Sequence, residues 1–264
     1  MLPLAELSRE SLAGVRFVLT DVDDTLTEHG RLEASTYSAL WRLRDAGLPV
    51  IPITGGPAGW CDLMVRMWPV AAAIAESGAV AYWLEEGTLR SWIWPDAVPV
   101  SGSAKLARIA ENVVASHPSA RLAKNQFCRI YDLAIDVGEE PPRLPPDEVE
   151  AIRAIVAASG ARMGRSSIHV NVWLGSYDKL AMAERFLSMR YGYDSGRDSA
   201  SVLYVGDSPN DEPMFRRFPL SVGVANVRRY ADSLQHHPKY VTAASHGAGF
   251  AELADKILDS KEKR

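Results

Sequence analysis

Three acids crowd into the segment Asp21-Val22-Asp23-Asp24-Thr25, directly after the apolar run Val15 to Thr20. Carboxylates are costly to hold side by side at the end of an apolar segment unless something uses them. Asp21 and Asp23 are two apart, so in extended chain they point to the same side. Such a pair suits a divalent cation, which takes several hard oxygen ligands. A second cluster, Gly206-Asp207-Ser208-Pro209-Asn210-Asp211, follows the apolar run Val202 to Val205. There a glycine permits a tight turn, Asp207 can hold metal, and Pro209 suits the start of a helix. Taken singly, each cluster is also what a polar loop or a helix cap after a strand requires; two at separate strand ends strengthen each other.

Two further features complete the set. Thr54-Gly55-Gly56-Pro57 offers a hydroxyl, free backbone N–H groups and a helix start, which together make an anion site. Lys179 stands near the start of a later helix. Alone, a lysine there belongs in solvent; beside these clusters it is the group to neutralise a phosphate.

The elements that must position these residues follow from periodicity. Val15 to Thr20 is a strand covered on both faces. Ala34 to Ala46 has helical spacing, closed by Gly47. Leu48 to Thr54 is a second strand, although Pro49 and Pro52 suit an edge better than a centre. A helix runs from Pro57 to Trp68, and Ala71 to Ala75 is a third apolar run. This alternation predicts an α/β core, a Rossmann-like doubly wound parallel sheet. The rhythm then changes. Val80 to Leu84 and Thr88 to Trp92 flank a hairpin turn at Glu85-Glu86-Gly87. Ala104 to Ser116 and Asp147 to Ala158 read as helices, Arg129 to Val137 and Ser167 to Leu174 as alternating strands, and Pro141 to Pro146 as a loop. Residues 85–175 are therefore expected to form an inserted α+β cap domain. The core would be discontinuous, 1–84 and 176–264. Its second part holds a helix Asp178 to Met189, a strand Ser201 to Val205, a helix Asn210 to Arg217, a strand Leu220 to Val224 and a helix Ala248 to Asp259.

Composition sets the frame. A chain of 264 residues, 47% hydrophobic and 23% charged, has the make-up of an ordinary globular protein. A net charge of −4 gives no reason to expect nucleic acid or an anionic membrane as partner. It also means that an anionic substrate needs local positive charge. Cys61 and Cys128 suggest neither a disulfide scaffold nor a metal knuckle, and both read as small buried apolar residues. With no signal peptide and no membrane-length apolar run, a cytoplasmic location is expected. Oligomeric state is not legible.

The four features, in this order, resemble the haloacid dehalogenase superfamily. Val15 to Thr25 matches its first motif, hhhhDxDxT, and Gly206 to Asp211 the GDSxND form of its fourth. Thr54-Gly55 is similar to the second motif and Lys179 to the third. An α+β insert between the second and third motifs resembles the cap of the Cof-type branch, which includes sucrose-phosphate, trehalose-phosphate and mannosyl-3-phosphoglycerate phosphatases. Two departures stand out. Position 56 is Gly where the branch often has Arg, and Glu76-Ser77-Gly78-Ala79 has Ser77 in place of Asn.

The resemblance implies a phosphatase with Asp21 as nucleophile and Asp23 as general acid and base. Mg²⁺ would be held by Asp21, the Asp23 carbonyl and Asp207, and phosphate by Thr54, Gly55 and Lys179. Asn210 and Asp211 would orient Lys179 and the metal ligands, together with Ser208, and Thr25 would support the loop. In the cap, Asn171, His169 and Arg165 are the candidates to touch substrate, with Arg129 as a further cation. His169 equally fits a structural role. Trp92, Trp94 and Trp173 have the faces to stack on a sugar, and equally the bulk to fill a small core. The expected substrate is a small phosphorylated sugar or sugar-acid metabolite. A phosphomutase, a nucleotide or cofactor phosphatase, and a non-catalytic phosphate-binding regulatory domain share the scaffold. The intact Asp21/Asp23 pair argues against the last, because only chemistry requires the second acid.

Overall fold

The computed structural model describes residues 1–261; residues 262–264, the end of the expected core, lie outside the described residues. In chain order the strands are β1 (Leu2–Pro3), β2 (Phe17–Thr20), β3 (Thr27–Glu28), β4 (Arg31–Leu32), β5 (Val50–Pro52), β6 (Ala73–Ala75), β7 (Val80–Glu85), β8 (Thr88–Ile93), β9 (Arg121–Leu122), β10 (Asp132–Asp136), β11 (Arg162–Arg165), β12 (His169–Trp173), β13 (Val202–Gly206), β14 (Leu220–Gly223) and β15 (Tyr240–Val241). The helices are α1 (Arg9–Ala13), α2 (Ala34–Asp45), α3 (Ala58–Met67), α4 (Ala104–Ser116), α5 (Pro146–Ala158), α6 (Lys179–Tyr191), α7 (Glu212–Arg217) and α8 (His246–Lys261).

The chain is an α/β protein built on a six-stranded sheet in the order β1-β15-β14-β13-β2-β5. Every pair in it is parallel. Alternate side chains of one strand enter different cores: Val18 packs with α2, α3 and α8, while Phe17 and Leu19 pack with α6 and α7. Both faces are covered, so β2 reads as a continuous apolar run rather than an alternating one. Pro52 is accommodated because β5 ends that ladder, and beyond it the sheet is continued only by the single parallel bridge Ile53–Ile74. The two-residue strands β1, at the edge, and β15, beside it, carry too few residues to show a pattern in the sequence.

The strand β8, assigned above to the insert, pairs with β7 along its whole length through the two-residue turn Glu86-Gly87. β7 in turn pairs with β6 beside the parallel sheet. The expected boundary at residue 85 thus cuts through one hairpin, and a cut beyond β8 respects the pairing. The strand expected from Arg129 begins only at Asp132; Arg129 to Tyr131 form the connection into it.

Between β8 and α6 lies a second sheet in the order β11-β12-β10-β9, with α4 and α5 on one side. Leu133, Ile135, Val170 and Val172 pack with Leu106, Ile109, Ile152 and Val156 of those helices. The period of two then sends Asp132, His169, Asn171 and Trp173 to the other face, opposite the helices. All four are buried, because that face meets the parallel-sheet unit. Cys61 is buried and Cys128 is part-exposed, and both are free thiols.

Glu76 fastens the two units together. It has no exposed surface. Its Oε1 accepts from the N–H groups of Ala58 (2.8 Å) and Ile130 (2.9 Å). Its Oε2 accepts from Tyr131 (2.5 Å) and Asp132 (2.9 Å). Burial lifts its pKa to about 7, and Asp132 adds to this, while the backbone donors pull the other way. Buried N–H groups without partners cost about 1–3 kcal/mol each. Glu76→Ala, which strips four of them, is therefore expected to lower the free energy of urea unfolding by at least about 3 kcal/mol. An unchanged urea midpoint would contradict the fastening role.

Candidate active site

Strand ends bring the acids together. β2 delivers Asp21 and β13 delivers Asp207, at adjacent carboxyl ends of the parallel sheet, where ligands of such sheets bind. Lys179 is the first residue of α6, whose N-cap Asp178 accepts from Ala181 N (2.8 Å). A Cβ at Gly78 would run into the Asp178 carbonyl, so this glycine, at φ +110°, lets α6 begin where it does.

The Lys179 Nζ lies 2.6 Å from Asp21 Oδ1, 2.9 Å from Asp211 Oδ1 and 3.1 Å from Asn210 Oδ1. One carboxylate oxygen from each of Asp21, Asp207 and Asp211 lies within 4.8 Å of the other two. Burial pushes the Asp21 pKa up to about 8; Lys179 opposes this, and Asp211 and Asp23 reinforce it. Asp207 is raised well above the carboxylate range by burial, then by Asp21 and Asp211. Burial pulls the Lys179 pKa down, but Asp21 and Asp211 more than offset this and hold the ammonium charged. Three clustered acids against one lysine leave surplus negative charge. That surplus, in hard oxygen donors, fits a divalent cation.

The acids differ in how they are held. Asp211 is saturated: Oδ1 accepts from Lys179 and the Tyr204 hydroxyl, and Oδ2 from the N–H groups of Asp207 and Ser208. A Cβ at Gly206 would sit 2.5 Å from that Oδ2, so only glycine leaves room. Asp207 accepts from Thr25 Oγ1 (3.3 Å) and Asn226 Nδ2 (2.9 Å). Ser208 Oγ donates to Asn210 Oδ1 (3.2 Å). The Asp23 side chain stands outside the triad and accepts from Thr54 Oγ1 at 3.5 Å. Burial raises its pKa, with His169 the largest opposing charge. The Thr54 hydroxyl also accepts from Gly56 N at 2.8 Å, which holds the loop in a tight turn.

The second sheet reaches the same loop. The Gly55 carbonyl accepts from Asn171 Nδ2 (2.9 Å) and Arg129 Nη1 (2.8 Å), and both donors also bind Asp132. An arginine 74 residues away thus contacts the loop that lacks one at position 56. Asn171, Trp173, Arg165 and Lys179 line a cavity of about 320 Å³. Asp23 opens instead onto a second cavity of about 220 Å³, beside Glu139 and Arg143. His169 is not at the first cavity; its Nε2 pairs with Glu139 Oε2 at 2.8 Å. Trp92 and Trp94 pack against each other near the core, so of the three tryptophans only Trp173 lines this cavity.

Several contributors carry no motif. Tyr204 is hidden inside an apolar strand, Asn226 lies in the short 3-10 helix Ala225–Tyr230, and Asp132 announces no ligand by spacing. The signal for Asp132 was available in the period of two through β10, which places an acid opposite the apolar face.

No protein-family model matches the chain. It is 26% identical over 249 residues to a phosphoglycolate phosphatase of Methanothermobacter thermautotrophicus, covering 92% of this chain and 99% of the relative. A phosphoglycolate phosphatase of Pyrobaculum neutrophilum is 28% identical over 252 residues, covering 93% and 96%. Among solved structures, a HAD/COF-like hydrolase of Plasmodium vivax superposes with a TM-score of 0.68 at 17% identity, covering 95% of this chain and 99% of its own. The chain is thus similar in sequence to phosphoglycolate phosphatases, and it shares the fold of a HAD/COF-like hydrolase.

The two acids at the ends of this network have opposite energetics. Asp207→Asn removes like-charge repulsion and keeps a group for Thr25 and Asn226 to bind. It should raise the metal-free stability by about 1 kcal/mol. Asp211→Asn presents an amide to donors and strands Lys179, at a cost of roughly 3 kcal/mol. Thermal melts of both variants in EDTA check this, and a destabilised Asp207→Asn would contradict the repulsion argument.

Proposed function

We propose that this phosphatase is a Mg²⁺-dependent phosphomonoesterase that works through an aspartyl-phosphate on Asp21. The observation that supports it most is the convergence of three separate stretches of chain, with Lys179 Nζ 2.6 Å from Asp21 and an Asp207 carboxylate oxygen within 4.8 Å of one from Asp21. Asp21, the Asp23 carbonyl and Asp207 would hold Mg²⁺, which when bound offsets the repulsion between carboxylate and phosphate. Asp21 attacks phosphorus as the carboxylate, the form that bound Mg²⁺ would favour against the burial that lifts its pKa to about 8. As its bond to phosphorus forms, the bond to the leaving oxygen breaks. Asp23, whose burial favours the protonated form, gives that oxygen a proton and then takes one from the water that hydrolyses the acyl phosphate. Thr54, the Gly55 N–H and Lys179 hold the equatorial oxygens, where charge gathers in the transition state.

The roles of the surrounding residues follow from their contacts. Asp211, Asn210 and Ser208 fix Lys179 and the 206–211 turn, and Thr25 fixes Asp207. The second sheet, with α4 and α5, serves as the cap. It excludes water and contacts the leaving group through Asn171 and Arg165. His169, bound to Glu139, acts on the Asp23 field rather than on substrate. The substrate is a small phosphorylated metabolite, of the sugar or sugar-acid kind; the two relatives are named for phosphoglycolate, a small ester of this sort. Free thiols at Cys61 and Cys128 fit a cytoplasmic setting.

Asp21→Asn is expected to lower kcat on a phosphomonoester by at least about 10³-fold with the thermal transition retained. EDTA should abolish phosphate release, and added Mg²⁺ should restore it. Turnover that survives either treatment would overturn the mechanism.

A further inference from the structure

Helix α3 is apolar on both sides. Its inner face, Ala58, Cys61, Met64 and Val65, enters the core. Its outer face carries Trp60, Leu63 and Met67, three and four residues apart, which makes one stripe. Leu63 is 50% exposed and Met67 64%. A helix that is apolar all round is ordinarily a buried one. The only charged residues in α3 are Asp62 and Arg66, and they bind each other, Arg66 Nε donating to Asp62 Oδ1 at 2.5 Å.

The second unit extends this stripe. A Cβ at Gly59 would sit 3.3 Å from Cys128 Cβ, so the short 3-10 helix Lys124–Cys128 lies against the start of α3. That helix carries Phe127, which is 86% exposed. Ile130, also exposed, gives its N–H to the same Glu76 oxygen as Ala58 does. At the other end of α3, Met67 shares a groove with Trp41 and Leu84. Single exposed apolar side chains need no explanation, but a contiguous group does. At about 200 Å² for a large side chain, Trp60, Leu63, Met67, Phe127 and Ile130 leave roughly 550 Å² facing water. A stable pairwise interface covers about 800 Å² on each partner, about two-thirds of it apolar in homodimers. The patch supplies that apolar share.

The exposed charges of these segments are balanced within the chain. Arg66 pairs with Asp62, and Lys124 with Glu140 at 2.5 Å. Such a patch has no net charge with which to select an acidic or a basic partner. It does suit itself. About a two-fold axis, residue i meets j while j meets i. Two α3 helices laid antiparallel across Leu63 bring Asp62 of each copy towards Arg66 of the other. Among the described residues Arg66 hydrogen-bonds only through Nε, so its terminal nitrogens can take that second carboxylate.

We propose that this face is the contact surface for a second copy of the chain, in a two-fold dimer formed through α3 and residues 124–130. The contact clasps the two units of each copy from outside. It also reaches the edge of the active site, because Trp60 lines the cavity onto which Asp23 opens.

Sedimentation velocity of the full chain, from about 1 to 100 µM, tests this. The wild type is expected as a dimer with a Kd of roughly 1 µM or tighter, as for interfaces of this size. Leu63→Glu and Phe127→Glu each put a charge into the contact on both copies, and each should weaken Kd at least about 100-fold. Both side chains face water in the single chain, so each variant should keep the wild-type circular dichroism spectrum. Asp62→Arg and Arg66→Asp should each weaken the dimer by like-charge repulsion. Mixing these two variants should restore it, since each supplies the charge the other lacks; pairing confined to one chain gives no such rescue. A wild type that stays monomeric at about 100 µM overturns the proposal and leaves the face to a partner of another kind. A dimer untouched by Leu63→Glu and Phe127→Glu overturns it too, and mixed charge variants that stay monomeric overturn the antiparallel arrangement.

Discussion

One buried ammonium group holds this site together. Lys179 reaches across from α6 to acids on two other segments, and without it three carboxylates would face one another in a space that excludes water. The desolvation of such acids costs several kcal/mol each, and only close pairing offsets it. The rest of the local architecture serves that pairing. Asp211 is saturated so that it cannot turn away, Gly206 leaves room for its carboxylate, and Gly78 lets the helix begin close enough for Lys179 to arrive. The charge that Lys179 does not balance is the charge a divalent cation would answer.

The second sheet connects to this centre through backbone rather than through reacting groups. Gly55, whose N–H is proposed above to hold phosphate, gives its carbonyl to Arg129 and Asn171. The same peptide segment therefore feels both the ligand and the covering unit. Asp132 binds both donors, so the arrangement is closed on itself and buried. The glycine at position 56, unusual beside the pattern of its branch, coincides with an arginine arriving from another segment.

How much of this was legible in the sequence depends on scale. The acids, Thr54 and Lys179 stood out because strands end in them, and strand ends of a parallel sheet are where ligands gather. The helices at 104–116 and 146–158 followed from apolar spacing and the prolines before α5. Edge strands of two residues left no pattern to find. The boundary at 85 was misjudged because an antiparallel hairpin looks like the onset of a different fold, when here it extends the core. Tyr204 and Asn226 were invisible for a different reason. Each is a single polar residue whose partner lies on a loop, and nothing local marks it. His169 could be read from sequence either as a weak substrate contact or as a structural histidine, and its imidazole pairs with Glu139.

The alternation along β12 has an evolutionary consequence. Val170 and Val172 belong to the helix-facing core, while His169, Asn171 and Trp173 look the other way. Even-numbered positions keep the unit folded, and odd-numbered ones face the parallel-sheet unit, where Asn171 reaches the Gly55 carbonyl. Drift at the odd positions can therefore alter that contact without unsettling the helix-facing core. An insertion of one residue in this strand would exchange the two sets at once and lose both.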